Sequence, residues 1–362
     1  MNKYEIDTPA LVIDKAKLIA NIKRMQNFAN HAQKNVRPHA KTHKCAKIAQ
    51  LQLKHGAVGI CVTKVTEALN LVYGGVTQGI LITSPIVTKQ KLKNFLAVLN
   101  LAPDTMVVCD NEINLHQLNE LAKETKQKKI NVIIDIDAGI GRTGISFGHA
   151  IDLAIKADQL SHISLKGIQC YAGHFQHIKN NHERYLKSTE LLEKAGKIKK
   201  EIEAKTGLKD LIQTGSGTGT YEIDSRVKEV TEIQPGSYTV MDKEYFDIEY
   251  NNDYFLPSMT LLTTVISANH SSHVTVDAGL KAIYKDPTYP KIISHKNLDY
   301  DWDYFGDEHG KITGENLPKL GEVIELIVPH CDPTINLYDH FYISENDQII
   351  DRWEIDLRGC VK

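Results

Sequence analysis

Lys41, in VRPHAKTHK (36–44), has the means for covalent chemistry. A lysine held at the tip of an extended segment and partly withdrawn from water has a lowered pKa. Its neutral amine is the nucleophile that Schiff-base formation requires. A solvated surface lysine would carry the same letters. Arg142, in DIDAGIGRTG (135–144), can reach a carboxylate or a flat ring, or can make a structural ion pair. His174 and His177, in YAGHFQH (171–177), are candidate general bases, since imidazole is the side chain most often used in that role. Either could equally be a satisfied structural histidine. The loops TGSGTGTY (214–221) and PGSY (235–238) are rich in Gly, Thr and Ser. Small residues let backbone N–H groups approach an anion, and hydroxyls add donors, so the pair reads as a phosphate site or as two tight turns. The glycine spacing is wrong for a dinucleotide-binding loop. His330-Cys331-Asp332 follows the apolar run EVIELIVP (322–329). In extended chain His330 and Asp332 would share one side and Cys331 the other. One imidazole and one carboxylate make a two-ligand site with open positions, suited to Mn²⁺, Mg²⁺, Co²⁺ or Zn²⁺.

These residues need a scaffold that gathers them. Short runs rich in Val, Ile and Leu at 36–41, 57–62, 79–83, 105–110, 130–137, 164–171, 210–216 and 229–237 predict strands. Helix-like stretches lie at 14–33, 44–55, 64–73, 88–100, 111–127, 149–159 and 182–206. Eight strands alternating with helices predict a (β/α)8 TIM-type barrel, with a doubly wound sheet as the rival. Barrel active sites lie beyond the C-terminal ends of the strands, with phosphate after strands seven and eight. Lys41 then follows the first strand, Arg142 the fifth, His174 and His177 the sixth, and the two small-residue loops the seventh and eighth. From about residue 256 the pattern becomes alternating β, as in SMTLLTTVISA, HVTVDAG, PKIIS, HFYIS and QIIDRWEID. The segment DYDWDYFGDEHGK (299–311) reads as a loop. We therefore expect a barrel over 14–255 and a mostly β C-terminal domain over 256–362, joined by 1–13 with its short strand ALVID (10–14).

The 362 residues are too many for one typical core of about 100–200 residues and suit a barrel plus a second domain. A hydrophobic fraction of 42% and a charged fraction of 24% exclude a disordered chain. The net charge of −2 gives no basis for nucleic acid or an anionic membrane as partner. The six cysteines are widely and irregularly spaced, with no CxxC pair. They read as reduced buried thiols. The charged start MNKYEIDTP is no signal peptide, and no apolar run is long enough to span a bilayer. A cytoplasmic protein is expected.

PHAKTHK, DAGIGRTG, YAGHFQH, TGSGTGTY, QPGSY, DAGLKA (277–282), DEHG (307–310) and PHCDPTINLYD (329–339) occur in the order of one family. The chain resembles the D-threonine aldolase and D-serine dehydratase-like family, metal-activated pyridoxal-phosphate enzymes of the alanine racemase fold type. The resemblance runs from about residue 5 to the C-terminus. It implies that Lys41 carries pyridoxal 5'-phosphate as a Schiff base. It further implies that Thr214, Gly217, Thr218, Gly219, Gly236, Ser237 and Tyr238 hold the phosphate, and that Arg142 and Tyr171 attend the ring. His330 and Asp332 would bind the metal, and His174 or His177 would act near the substrate hydroxyl. A homodimer is implied as well. Dehydratases of this family tend to use His-x-Cys for zinc, whereas this chain has Asp332 at the second position. A hard carboxylate favours Mn²⁺ or Mg²⁺ over Zn²⁺, although Cys331 next door could exchange with it. The implied function is cleavage of a small D-amino acid with a β-hydroxyl, of the D-threonine or 3-hydroxy-D-aspartate type, to glycine and an aldehyde. The alternative is dehydration of D-serine or D-threo-3-hydroxyaspartate to ammonia and a 2-oxo acid. A racemase is a further alternative, but racemases of this fold type need no metal. A non-catalytic pyridoxal-phosphate carrier is another, but such carriers lack a C-terminal β domain.

Overall fold

Ile60-Cys61-Val62 and Ile80-Leu81-Ile82 are buried at every position. Strands of that kind persist only with cover on both faces, as in a parallel sheet flanked by helices. The computed structural model describes residues 1–250, 255–302 and 305–362. In it β1 (Ala10–Asp14) leads into α1 (Lys15–His31), β2 (Asn35–Val36), α2 (Ala46–Lys54), β3 (Ile60–Val62) and α3 (Val65–Tyr73). There follow β4 (Ile80–Ile82), α4 (Lys89–Leu101), β5 (Met106–Cys109), α5 (Glu112–Ala122), β6 (Ile130–Asp135) and α6 (Phe147–Gln159). The series ends with β7 (Ile163–Cys170), α7 (Asn181–Thr206), β8 (Ile212–Gly215), the short α8 (Tyr221–Asp224) and β9 (Glu232–Ile233).

Among the described residues, β2 to β9 form an eight-stranded parallel sheet in the order β2-β9-β8-β7-β6-β5-β4-β3. Its two edges meet, because Cys61 N–H donates to Pro38 O at 2.8 Å and Ala40 N–H to Cys61 O at 2.8 Å. The sheet is the (β/α)8 barrel that the strand count predicts. At the seam Arg37 makes two 2.9 Å hydrogen bonds to the buried Glu232 carboxylate. Side chains set the helix starts: Thr88, Asn111 and Asn180 accept from the N–H groups of Lys91, Asn114 and Glu183. A core cluster of Cys61, Leu81, Met106, Val108 and Ile133 joins four of the strands.

The later chain adds α9 (Lys243–Phe246), β10 (Met259–Ser267), β11 (His273–Val276), β12 (Lys291–Ile292), β13 (Leu298–Asp301) and β14 (Gly310–Gly314). It closes with β15 (Val323–Ile327), α10 (Cys331–Ile335), β16 (His340–Glu345) and β17 (Gln348–Glu354). Its sheet runs β13-β14-β11-β10-β1-β16-β17, with β15 and β12 paired off β10. β1 lies antiparallel to β10 and parallel to β16, with Val12 opposite Thr260 and Tyr342. The chain thus forms two compact units. The β unit is Met1–Arg24, Thr42–Cys45 and Ser237–Arg358, and the barrel unit is Met25–Lys41, Ala46–Gly236 and Gly359–Lys362.

One sequence expectation is corrected. Residues 299–311 are not a plain loop: β13 and β14 pair antiparallel there, with Tyr300 opposite Ile312. Tyr300 and Trp302 are buried while Asp299 is exposed, so period-two burial runs beneath an acidic composition that is unusual in strands. Asp303 and Tyr304 lie outside the described residues.

Candidate active site

Lys41 follows the closing segment of the barrel and is half-buried. Its backbone N–H donates to His39 Nδ1 at 3.3 Å, and His39 Nε2 lies 3.1 Å from Thr83 Oγ1. The Thr83 hydroxyl donates to Val62 O at 3.1 Å. With that proton committed, Thr83 can only accept, so Nε2 carries the imidazole hydrogen and Nδ1 is the acceptor. One tautomer of His39 thus anchors the peptide of Lys41. Reading PHAKTHK for its lysine passes over this histidine, although its place two residues before Lys41 on an extended segment is the signal.

Deeper polar groups form a line. Gln169 Nε2 donates to Asp135 Oδ1 at 2.9 Å and lies 3.5 Å from Thr83 O. Thr143, beside Arg142, donates to Asp135 Oδ2 at 2.9 Å. Gln234 Nε2 donates to Gln169 Oε1 at 3.3 Å and to Thr214 Oγ1 at 2.9 Å. The line therefore runs from the loop of Arg142 to the first residue of the Thr/Gly loop. Burial pushes the Asp135 carboxyl up to about 6, against the donors Gln169 and Thr143.

Arg142 is exposed, and its guanidinium carbon stands 5.8 Å from the centre of the Tyr171 ring. The structure therefore brings these two together. Gly173 is needed beside them, since a Cβ there would sit 2.9 Å from the Tyr171 ring. His174 and His177 are both exposed in the loop that follows β7, the first with its ring centre 4.0 Å from that of Phe175.

The loop over 214–220 is buried throughout. Gln176 clamps it: Oε1 accepts from Gly219 N–H at 3.0 Å and Nε2 donates to Thr220 Oγ1 at 2.8 Å. Gly219 has no room for a side chain, because a Cβ would lie 2.1 Å from Gln176 O. Thr220 and Ser188 both donate to the wholly buried Asp224, whose carboxyl burial pushes up to about 6. Among the described residues no protein acceptor is paired with Gly217 N–H. A buried loop with an open amide donor fits an anion such as a phosphate. Thr218 and Gly236 are buried as well, Gly236 just beyond β9.

In the β unit, Tyr238 is buried with its ring 5.4 Å from that of Phe255. The Ser237 hydroxyl donates to Asp332 Oδ1 at 3.4 Å. The extended geometry expected for His330 and Asp332 is corrected. β15 ends at Ile327, His330 is the residue before α10, and Asp332 lies in its first turn. Strand alternation therefore does not govern the pair. Asp332 meets Ser237, while His330 Nδ1 lies 3.3 Å from Asp286 Oδ2 and 3.7 Å from Glu244 Oε2. Ligand atoms of Glu244, Asp286 and His330 all lie within 4.8 Å of one another. Sequence reading misses Glu244 and Asp286, which are distant along the chain. Cys331 is wholly buried, and burial beside Asp242 and Asp332 holds its thiol well above the ordinary range. A donor set of one imidazole with carboxylates fits a hard divalent cation.

Residues 13–244 match the family model of the alanine racemase N-terminal domain, and residues 258–344 that of the serine dehydratase domain. D-threonine aldolase of Arthrobacter sp. is 36% identical, across 98% of this chain and 93% of the relative. 3-Hydroxy-D-aspartate aldolase of Paracoccus denitrificans is 30% identical, across 99% and 94%. The crystal structure of D-threonine aldolase from Filomicrobium marinum superposes with a TM-score of 0.91 at 31% identity, across 99% of this chain and 97% of that one. D-threo-3-hydroxyaspartate dehydratase from Delftia sp. superposes with a TM-score of 0.81 at 22% identity, across 98% of each, a likeness of fold alone.

Proposed function

The chain belongs to the D-threonine aldolase and D-serine dehydratase-like family of pyridoxal-phosphate-dependent lyases, and from that premise we propose that it cleaves D-configured β-hydroxy amino acids of the D-threonine or 3-hydroxy-D-aspartate type to glycine and an aldehyde. The observation that carries this reading is the likeness to D-threonine aldolase over nearly the whole chain.

Lys41 would hold pyridoxal phosphate, with Thr214, Gly217, Thr218, Gly219, Gly236, Ser237 and Tyr238 at its phosphate and Arg142 and Tyr171 at its ring. When bound, the cofactor supplies an electron sink for the pair left on Cα as the Cα–Cβ bond breaks. His39 fixes the peptide of Lys41, and Gln176 and Gln234 keep the Thr/Gly loop in one shape. His174 or His177 takes the proton of the substrate β-hydroxyl. His330 and Asp332 would hold Mn²⁺ or Mg²⁺ in preference to Zn²⁺, a Lewis acid for the β-oxygen. Cys331 is wholly buried whereas Asp332 is partly exposed, which supports the carboxylate over the thiolate as second ligand. The six cysteines are reduced thiols, which supports a cytoplasmic setting. No helix among the described residues is long and apolar enough to cross a membrane. The active species in this reading is a homodimer.

The test is product analysis. The cofactor-loaded protein is given D-threonine, D-serine and D-threo-3-hydroxyaspartate, with Mn²⁺ and then with EDTA. Glycine plus an aldehyde, lost on chelation, is the expected result. Ammonia plus a 2-oxo acid would overturn it in favour of dehydration, with Lys41 as the base at Cα.

A further inference from the structure

Two carboxylates from different turns of the β unit meet on one side of His330. Asp286 Oδ2 lies 3.3 Å and Glu244 Oε2 3.7 Å from Nδ1, with side-chain exposures of 16% and 24% against 28% for the histidine. Like charges this close repel unless a donor or a cation stands between them, and here the imidazole does. Both turns are tied to the histidine's own segment. Lys243 N–H donates to Val328 O at 3.0 Å and Glu244 N–H to Pro329 O at 3.1 Å. Asp242 accepts from Cys331 N–H at 2.9 Å and from Tyr245 N–H at 3.0 Å. On the other side Tyr284 N–H reaches Thr334 Oγ1 at 3.3 Å, and that hydroxyl donates to His330 O at 2.7 Å.

We infer that Asp286, backed by Glu244, is the positioning residue for His330: it accepts the Nδ1 hydrogen, fixes the tautomer and leaves the Nε2 lone pair for the divalent cation. The inference rests on the proposed role of His330 as a ligand. Its chemistry is simple. An ionised carboxylate can only accept, and a neutral imidazole has one hydrogen to give, so a carboxylate at Nδ1 sends the lone pair to Nε2. It also makes that nitrogen a stronger donor to a metal, and losing such a partner typically costs about 10–100-fold in metal affinity.

The experiment uses the cofactor-loaded protein. Mn²⁺ affinity is measured by competition with a chelator, and the visible spectrum is recorded at saturating Co²⁺. Asp286→Asn should weaken Mn²⁺ binding by about 10–100-fold, with the Co²⁺ spectrum and the unfolding midpoint unchanged. Wild-type affinity in a folded Asp286→Asn protein overturns the inference. So does an altered Co²⁺ spectrum at saturation, which would make Asp286 itself a ligand. His330→Ala separates the two claims. Loss of metal binding there with none in Asp286→Asn removes only the positioning role, whereas unchanged binding in His330→Ala removes the ligand reading. Should Asp286→Asn not fold, the tautomer of His330 in the wild-type protein decides, read from long-range ¹H–¹⁵N couplings assigned against His330→Ala. An Nδ1–H form supports the inference and an Nε2–H form overturns it.

Discussion

The barrel unit and the β unit handle polar groups in opposite ways. In the barrel, Asp135, Gln169, Gln234 and Thr214 are buried and bond one another. Around His330 the carboxylates of Glu244, Asp286 and Asp332 stay partly exposed. A buried line of this kind gives rigidity, because every member lost takes a hydrogen bond from its neighbour in a low-dielectric interior. A half-exposed cluster keeps its charge available to a ligand. Substitutions in the barrel line should therefore appear first as lost stability, and those around His330 as lost metal affinity with stability kept.

The sharpest separation is expected at Asp332. Asp332→Ala should lower metal-dependent turnover by about 100-fold or more. It should leave the cofactor absorbance and the unfolding free energy within about 0.5 kcal/mol of wild type. Steady-state rates against Mn²⁺ concentration, together with denaturant unfolding, read both quantities. Full activity without added metal would remove Asp332 from the metal site. A large loss of stability instead would place it with the barrel line, and the contrast would fail.

Gln169 makes the opposite case. Gln169→Leu removes the donor to Asp135 and the acceptor for Gln234 at once. Unpaired buried groups cost about 1–3 kcal/mol each, so a loss of roughly 2–4 kcal/mol in unfolding free energy is expected, while Mn²⁺ affinity stays within about twofold. Unchanged stability would mean that water or rearrangement repairs the line.

The same contrast explains what the chain could reveal in one dimension. The barrel strands were legible because residues such as Ile80, Leu81 and Ile82 are apolar in succession, as a strand covered on both faces demands. Gln169, Gln176 and Gln234 were not legible. A glutamine in or beside a strand reads as solvent-facing, and only closure of the barrel turns it inwards. Lys41, Arg142 and His330 could be picked out by type and by place in a motif. The groups that orient them could not, since Thr83 lies 44 residues from His39 and Asp286 lies 44 from His330. β13 was hidden by composition, but Asp299-Tyr300-Asp301-Trp302 alternates with period two, and that pattern was the available signal.

The smallest expected effect is the most specific, and it concerns pH. Burial raises the Asp135 carboxyl from 3.8 to about 6. The folded protein therefore holds this proton more tightly than the unfolded chain does. The stabilisation it gives is fully present below about pH 4 and is lost as pH rises through 6, to a total of roughly 3 kcal/mol at most. Asp224 is raised to about 6 by its own burial and adds a similar slope, so wild type alone does not isolate Asp135. The difference between wild type and Asp135→Asn does, because Asp224 titrates in both. Asparagine can still accept from Gln169, and its mismatch with Thr143 adds an offset that does not vary with pH. Denaturant unfolding from pH 4 to 7 should show wild type losing ground to Asp135→Asn up to about pH 6 and running parallel to it above. Parallel curves throughout would mean that Asp135 ionises as a solvated carboxylate does, and the barrel line would then be less dry than its burial implies.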